Sequence, residues 1–455
     1  MSQRLISCLL TNKKIRSFLL HFKEHHDDRN KNKIINKITD FHKSNKGDQL
    51  NIINGNLLKL LGHAKSTTQF YNQSLENIDL KNFSLEKFKS IPLLNKEIIN
   101  SNFESLVSNN FNISNLNERY TGGSTGNPLR LLSDKKADLI DRAHHIYLYK
   151  QFGYKKGDII LGCSGRKISE EDRNNSIYWS NSTANDVFGE ITFSTSYIND
   201  NNIKYYVKEM IRLQPKVIRS YPTFLNRISK YIIDNEIKIK FVIKGIVLTS
   251  EVCLPQQIEN IKIAFNTEVY LEYGNREICM FSCTNDDSYI YSTSPYYCYM
   301  EVLNEDGSDT EIGHIGKVVT TSLINYGMPF IRYDTGDYAK VHYRNSGFLK
   351  LSEILGRKSD FIIDSNHKKV YLLDTIYRAD FKILNKIKSW QLHQKEIGKV
   401  DILIISDDKL TITEENDLKN VFDLNTQFQF NFKYVNEIPK TPLGKQPFVI
   451  KDFKF

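Results

Sequence analysis

Residues 203–251 read IKYYVKEMIRLQPKVIRSYPTFLNRISKYIIDNEIKIKFVIKGIVLTSE, and this stretch decides the fold. The apolar spacing predicts helices over Ile203–Leu213 and Tyr221–Asn235. Short apolar runs rich in β-branched residues predict buried strands over Val217–Arg219 and Phe241–Leu248. Helices that alternate with strands in this way indicate right-handed βαβ units and a mostly parallel sheet.

The same alternation continues on both sides of this stretch. In chain order we predict a helix over Ala137–Phe152, a strand over Ile159–Gly162, a helix over Gln256–Ile263 and a strand over Val269–Tyr273. In parallel sheets, ligands bind beyond the carboxyl ends of the strands. We therefore expect Glu251, Tyr273 and Glu277 to lie at that edge.

The patterns in the remaining segments predict how the chain is divided into domains. Residues 1–115 are predicted to be mainly helical, and short strands separated by Gly-rich turns over 289–351 indicate a β-rich subdomain. After Asp360 the pattern predicts strands over Val400–Ile405, Lys409–Thr413 and Phe428–Val435 and a helix near Asp417–Asp423. The predicted fold class is α/β. A large body with a mostly parallel, helix-flanked sheet precedes a small, mobile α+β domain. The expected boundaries are 1–115, 116–360 and 361–455.

Composition limits the classes of protein and partner. The length of 455 residues exceeds that of one simple core, and 40% apolar with 25% charged residues is typical of a globular chain. Eleven of the Lys/Arg residues and five of the Asp/Glu residues lie in 1–50, which concentrates the net charge of +9 there. No basic motif interleaved with aromatic residues occurs, so nucleic acid is not expected as a partner. An amphipathic N-terminal helix would pack on the body, and peripheral contact with a membrane surface stays open as the alternative.

The cysteines and the apolar runs indicate a cytoplasmic protein. None of the six cysteines forms a Cys-x-x-Cys pair, and we expect them to be reduced thiols. Buried thiols are a more ordinary interpretation of Cys279, Cys283 and Cys298 than a zinc site. No run of about 20 uninterrupted apolar residues occurs, and no signal peptide is expected over residues 1–20.

The strongest local signal is the run Thr121-Gly122-Gly123-Ser124-Thr125-Gly126. Its glycines let the backbone approach an anion closely, and its hydroxyl groups can donate to phosphate oxygens. It is not a Walker loop, because no Gly-Lys-Ser/Thr sequence ends it. Taken alone, the run fits a surface loop as well as it fits a phosphate site.

Five motifs occur in one order: residues 121–128, 273–277, 332–337, 356–360 and 439–445. Together they resemble the adenylate-forming superfamily of acyl-CoA ligases, luciferases and nonribosomal peptide adenylation domains. Five more segments, residues 91–96, 152–158, 214–222, 248–251 and 328–333, look like the phenylacetate–CoA ligase branch. Within that branch they are closest to CapK-like proteins of capsule biosynthesis.

The resemblance implies a role for each motif residue. Lys445 would be catalytic, and Asp360 would be the hinge of the small domain. Thr121, Gly122, Gly123, Ser124, Thr125 and Gly126 would bind phosphate; Ser250, Glu251, Tyr273, Gly274, Asp337 and Arg357 would bind adenine and ribose; Glu277, with Thr125, would bind Mg²⁺.

The implied reaction is the activation of a carboxylic acid by ATP and Mg²⁺, followed by acyl transfer. The acceptor is CoA, or an amine or hydroxyl of a surface-polysaccharide intermediate. A non-catalytic nucleotide-binding module is the alternative. The chain also departs from the family pattern: Asn127 replaces a common Lys, and Asn275-Arg276 replace small or hydroxyl residues. Tyr289 lies where relatives often carry a His after the cysteine matching Cys283.

Overall fold

The computed structural model describes residues 26–121, 129–181, 190–345, 347–357, 361–371, 386–422, 427–441 and 444–453. Its contacts divide the chain into two compact units. The first unit contains Lys155–Val269 and Leu355–Phe455, and the second contains His21–Tyr154 and Tyr270–Ile354. None of the helices in the described ranges is both long enough and apolar enough to span a bilayer.

Helices α1 to α12 of the described residues are numbered in chain order. They are His26–Lys43, Lys46–Thr67, Gln69–Ser74, Leu85–Lys89, Lys96–Ser101, Phe103–Leu106, Lys135–Gln151, Glu170–Asn174, Ile203–Leu213, Pro222–Asp234, Pro255–Phe265 and Ile412–Phe422. At several of their N-termini a side-chain oxygen accepts a hydrogen bond from a first-turn N–H group that has no partner within the helix. Asn95, before α5, accepts from the Ile98 N–H at 2.8 Å. Asp134 accepts from the N–H groups of Lys136 and Ala137, each at 2.9 Å.

Strands β1 to β20 are numbered in the same way. They are Asn117–Tyr120, Arg130–Ser133, Ile160–Ser164, Trp179–Asn181, Glu190–Ser194, Val217–Ser220, Gly245–Thr249, Val269–Gly274, Phe281–Cys283, Tyr291–Thr293, Cys298–Leu303, Ile315–Ser322, Tyr333–Asn345, Phe348–Arg357, Phe361–Ile363, Lys369–Tyr371, Ser389–Glu396, Lys399–Ile405, Gln429–Tyr434 and Val449–Lys451.

The first unit is built on parallel strands. β3 pairs in parallel with β5 and β6, β6 pairs in parallel with β7, and β4 runs antiparallel along β5. Every residue of β7 is buried, which is typical of a parallel strand covered on both faces. Helices α9 and α10 connect these strands and bury apolar stripes. The predicted α/β class is confirmed, although β7 begins at Gly245, four residues later than predicted, and Lys244 just before it pairs with Asp158 at 2.7 Å.

The C-terminal part of the first unit is the predicted α+β element. Its strands lie in the order β19-β18-β17-β20, with β17 antiparallel to β18 and the outer pairs parallel. The predicted strand over Lys409–Thr413 is wrong, because a capping box starts α12 there. Thr411 Oγ1 accepts from the Glu414 N–H at 3.3 Å, and Glu414 Oε2 accepts from the Thr411 N–H at 2.8 Å.

The second unit contains the predicted β-rich region. Its strands lie in the order β11-β12-β13-β14-β10-β9-β8, and β1 pairs separately with β2. Apolar side chains of α2, α4 and the segment before β13 share one core cluster, which includes Leu57, Leu61, Phe88, Met328 and Ile331. The five cysteines described in the two units are all free, in agreement with the expected reduced thiols.

Arg332 joins several segments of the second unit. Its side chain is 4% exposed and donates from Nε and Nη2 to the two carboxylate oxygens of Glu301, each at 3.0 Å. Its Nη1 donates to the Ile91 carbonyl at 2.6 Å and also to the Lys89 carbonyl. A buried bidentate ion pair has lost its water, and it is stable only when the remaining N–H groups and oxygens also find hydrogen-bond partners. Arg332 therefore ties the chain before α5 to β11 and β13.

Replacing Arg332 tests this junction. We expect Arg332→Met to lower the free energy of unfolding by about 3–5 kcal/mol, because Glu301 stays buried without its partner. Urea denaturation measures the change. Lys340→Met is the matched control, since Lys340 pairs with Glu353 at 3.1 Å in a half-exposed position and should cost less than about 1 kcal/mol. Equal losses in the two variants would contradict the role given to Arg332.

Candidate functional site

Thr121 and Leu129, which border the predicted phosphate-binding run, are hydrogen-bonded to each other. Thr121 donates its N–H to the Leu129 carbonyl at 3.0 Å, and its Oγ1 accepts from the Leu129 N–H at 2.9 Å. These bonds extend the β1–β2 pair and bring the two ends of the segment together. Gly122, Gly123, Ser124, Thr125 and Gly126 lie outside the described residues, as does Asp360. Their roles stay predictions.

Tyr273 and Asp337 are in direct contact in the second unit. The Tyr273 hydroxyl, near the end of β8, donates to Asp337 Oδ2 at 2.9 Å. Burial raises the pKa of Tyr273 well above its usual value, and the Asp337 carboxylate adds to the rise. Gly336 adopts a φ of +76°, and the Asp337 N–H donates to Thr335 Oγ1 at 3.1 Å. This turn within β13 fixes the direction of the carboxylate.

Glu277 lies close to the same strands. Its side chain is 9% exposed, and Oε1 accepts from the Tyr333 hydroxyl at 3.2 Å. Gly274 ends β8, and Asn275 then accepts the Cys279 N–H at 3.2 Å, which closes the turn that holds Glu277. A carboxylate is the kind of hard oxygen ligand that Mg²⁺ takes, so the residue fits the predicted role. Among the described residues no cluster of three or more His, Cys, Asp or Glu side chains could hold a metal by itself.

Lys445 lies in a tight turn of the first unit. We call the described residues Pro439–Thr441 and Gly444–Gln446 the lysine loop. Thr441 donates its N–H to the Lys445 carbonyl at 2.8 Å, and its Oγ1 accepts from the Lys445 N–H at 3.2 Å. The Gly444 N–H donates to the Thr441 carbonyl at 2.8 Å. The backbone on both sides of the lysine is therefore fixed by Thr441.

Thr195 contacts the lysine loop at two points. Its Oγ1 donates to the Gly444 carbonyl at 3.1 Å, and its own carbonyl accepts from Lys440 Nζ at 2.7 Å. Gly444 has a φ of +73°, and a Cβ added there would lie 2.2 Å from Thr195 Oγ1 and 2.5 Å from Gly165 Cα. Only glycine allows this approach without displacing the backbone. No motif in the sequence points to Thr195, which follows β5 as an ordinary hydroxyl residue.

Glu251 contacts the loop on the other side of Lys445. Its Oε1 accepts from the Gln446 N–H at 2.9 Å, and its Oε2 accepts from the N–H and the hydroxyl of Thr223 at 3.2 and 2.7 Å. Burial raises the pKa of Glu251 above its usual value, against the effect of these donors and of the Lys445 charge. Ser250, between β7 and Glu251, has a φ of +71°. The structure thus brings Glu251 to the lysine loop through its side chain, and its predicted nucleotide contact stays a prediction.

A small cleft of about 40 Å³ in the first unit adjoins this contact region. It is bordered by α10, α11 and residues near β17 and β20. Lys230 donates to the Ile387 carbonyl at 2.6 Å, and burial lowers the pKa of Lys230 to about 8. Trp390 and Phe448 pack with ring centres 5.4 Å apart on the opposite wall.

Arg357, a predicted ribose ligand, is half-buried at the end of β14.

The chain matches known proteins over most of its length. Residues 363–452 match the family model of the CapK C-terminal domain. The chain is 25% identical over 421 residues to Protein CapK of Staphylococcus aureus, with 90% of each protein covered. The resemblance to CapK-like proteins that the motifs indicated is confirmed.

Solved structures with the same fold are adenylate-forming ligases. The crystal structure of 2-hydroxyisobutyryl-CoA ligase in the postadenylation state, in complex with 2-HIB-AMP, matches with a TM-score of 0.70 at 14% identity over 90% of each chain. That ligase with 2-HIB-AMP and CoA in the thioesterification state matches with a TM-score of 0.56 at 14% identity, over 90% of this chain and 91% of the ligase. The chain therefore has the fold of these ligases, as the motif order predicted.

The burial of Lys440 predicts a pH effect on stability. Desolvation, aided by the charge of Arg227, lowers the pKa of Lys440 from 10.5 to about 8. Between these two values the unfolded chain holds a proton that the folded chain has released, so raising the pH favours the folded state. We expect the Tm of the parent to rise relative to that of Lys440→Met between about pH 8 and pH 10. Thermal unfolding across this range measures the difference.

The control for this pH effect is Lys399→Met, because the Lys399 side chain is 59% exposed. Its Tm should keep a constant offset from the parent over the same range. A constant Tm offset for Lys440→Met over this pH range would contradict the lowered pKa of Lys440.

Proposed function

We propose that the protein activates a carboxylic acid with ATP, forming an acyl-adenylate and pyrophosphate. The observation that carries the proposal is the position of the lysine loop at the carboxyl ends of β5 and β7, where Thr195 and Glu251 hold the residues on both sides of Lys445. Parallel α/β sheets bind ligands at this edge. The fold shared with adenylate-forming ligases and the similarity to CapK support the same reaction.

Charge is the main obstacle in this reaction. A carboxylate oxygen attacks the α-phosphorus of ATP, the new O–P bond forms, and the bond to pyrophosphate breaks. Both reactants are anionic, so the protein must offset repulsion while it aligns them. The Lys445 ammonium group would stabilise the negative charge that grows on the α-phosphate and the entering carboxylate. The loop Thr121–Gly126 would hold the departing phosphates through N–H and hydroxyl groups.

The nucleotide contacts are proposed residue by residue. Asp337 would accept hydrogen bonds from ribose hydroxyls, since carboxylates commonly bind ribose in this way. Tyr273, held by its hydroxyl to Asp337, would pack against adenine. The Ser250–Glu251 backbone, Gly274 and Arg357 would complete the adenine and ribose contacts. Glu277, with Thr125, would hold Mg²⁺, which neutralises phosphate charge when bound.

The finer assignments follow the resemblance. We propose a member of the phenylacetate–CoA ligase branch with a role in capsule polysaccharide synthesis, located in the cytoplasm, and with Asp360 as the hinge of a C-terminal domain that begins at residue 361. The acceptor of the acyl group would be the CoA thiol, or an amine or hydroxyl of a surface-polysaccharide intermediate. The known ligase of the same fold binds 2-HIB-AMP and CoA. That observation supports ATP and CoA as ligands here.

A panel of carboxylic acids tests the reaction directly. We expect at least one acid to support ATP–pyrophosphate exchange, and we expect Lys445→Ala to slow that exchange about 100-fold or more, because the cation that offsets transition-state charge is lost. Lys399→Ala, an exposed lysine of the same C-terminal part, is the control and should exchange at the parent rate. Undiminished exchange by Lys445→Ala would contradict the mechanism. ATP binding without exchange for any acid would favour a nucleotide-binding module.

Substitution of Asp337 tests the ribose contact. We expect Asp337→Ala to raise the KM for ATP about tenfold or more, because hydrogen bonds to a charged acceptor contribute roughly 1.5–3 kcal/mol. Tyr273→Phe, which keeps the ring and removes the bond to Asp337, should raise this KM by a smaller factor. Asp306→Asn, at an exposed turn, is the control for loss of a carboxylate. An unchanged KM for Asp337→Ala would exclude the ribose contact.

A further inference from the structure

We propose that Thr195 and Glu251 are positioning residues that hold the lysine loop for the acid-activating step. The inference rests on the proposed function and adds two residues that act through Lys445. Thr195 contacts the residue before Lys445, and Glu251 contacts the residue after it. The two contacts come from different strands of the first unit, so together they fix both the place and the direction of the intervening backbone.

The lysine loop contacts residues that follow three strands at one edge of the sheet. Gly165 follows β3, Thr195 follows β5 and Glu251 follows β7, with β6 between β3 and β7. Because these strands are parallel, their carboxyl ends share one edge. Gly444 packs on the first two ends, and Gln446 reaches the third.

The contact at Thr195 depends on close backbone approach. The hydroxyl donates to the Gly444 carbonyl at 3.1 Å, while the Thr195 carbonyl receives the Lys440 ammonium at 2.7 Å. Thr195 is 1% exposed, so both bonds are shielded from water. Removal of the hydroxyl would leave the buried Gly444 carbonyl without this donor, which is costly in such a setting.

Glu251 acts as the cap of a helix and as an anchor at the same time. The residue before α10, Tyr221, makes no side-chain cap, and Pro222 at the first position has no N–H to offer. Thr223 supplies the first available N–H, and Glu251 Oε2 accepts it. A carboxylate at a helix N-terminus is stabilised by the helix dipole. The second oxygen, Oε1, accepts the Gln446 N–H and so joins the loop to a rigid helix.

This arrangement predicts which kinetic constant changes. A loop that leaves its place moves the Lys445 ammonium away from the reacting groups, and misplacement by about 1 Å can cost on the order of 100-fold in rate. ATP binding through other residues is unaffected. Loss of either anchor should therefore lower kcat for ATP–pyrophosphate exchange and leave the KM for ATP nearly constant.

Two independent variants, each with its own control, test the proposal. Thr195→Val removes the hydroxyl and keeps the shape and the carbonyl, whereas Thr195→Ser keeps the hydroxyl. Thr267→Val is the matched control, because the Thr267 hydroxyl donates to the Ile243 carbonyl at 2.9 Å away from the loop. Glu251→Gln removes the charge and one acceptor. Its control is Glu209→Gln, a 6% exposed carboxylate of the same unit that pairs with Arg212 at 2.6 Å.

Two measurements on the full chain are compared. Exchange kinetics with the best acid of the panel should show kcat lowered about fivefold or more in Thr195→Val and about tenfold or more in Glu251→Gln, with the KM for ATP within about twofold. Hydrogen–deuterium exchange of peptides covering residues 439–448 should be faster in both variants. In Glu251→Gln the Gln446 amide loses its carboxylate partner, and in Thr195→Val the neighbouring Gly444 carbonyl loses its donor. Thr195→Ser and the two controls should match the parent in both measurements.

Each other outcome has a definite meaning. Parent-like kcat in Thr195→Val and Glu251→Gln overturns the positioning role while the proposed function stands. A raised KM for ATP with unchanged kcat overturns it in favour of direct nucleotide binding by Glu251. A parent chain that exchanges pyrophosphate with no acid refutes the proposed function, and the positioning role falls with it. Faster deuterium exchange with unchanged kcat shows that the contacts hold the loop without serving the reaction.

Discussion

A single buried carboxylate, that of Glu251, connects the helical framework of the first unit to the loop that carries Lys445. One oxygen accepts the first free N–H of α10, and the other accepts the N–H of Gln446. Desolvation makes such a group costly unless all its partners are present, and the raised pKa of Glu251 is the sign of that cost. The helix, the turn at Ser250 and the lysine loop are therefore energetically dependent on one another.

In the second unit, several buried polar contacts lie at or near the start of one strand, β13. Arg332 pairs with Glu301 immediately before β13, Tyr333 at its start donates to Glu277, and Asp337 a few residues on receives the Tyr273 hydroxyl. The Arg332 ion pair, the hydroxyl that binds Glu277 and the Asp337 carboxylate thus all lie within residues 332–337. Because Arg332 fixes the path of that backbone, a residue with no proposed ligand contact helps to determine where the side chains proposed to bind ligands lie.

The sequence predicted what local patterns determine. The helix over Ile203–Leu213 has the expected bounds, since its apolar stripe is strong and Gln214 ends it in a left-handed conformation. The strand over Lys409–Thr413 was mispredicted because a Thr–Glu capping box outweighed its β-branched residues. The contact between Thr195 and Gly444 joins residues 249 positions apart, and no local pattern carries information about such a pair. The motif order predicted a catalytic role for Lys445, whereas its loop's contacts with Thr195 and Glu251 are visible only in the folded chain.

The bonds that dock the lysine loop have a consequence for how this protein could change. They involve the Gly444 carbonyl, the Gln446 amide and the Lys440 side chain, whereas the Lys445 N–H donates to Thr441 within the loop itself. The atoms that hold the loop in place thus differ from the Lys445 ammonium group, which is proposed to act in the reaction. A chain that lost the Lys445 ammonium would keep these bonds, so a substitution at this one position would remove the proposed chemistry and leave the loop seated on the same strand ends.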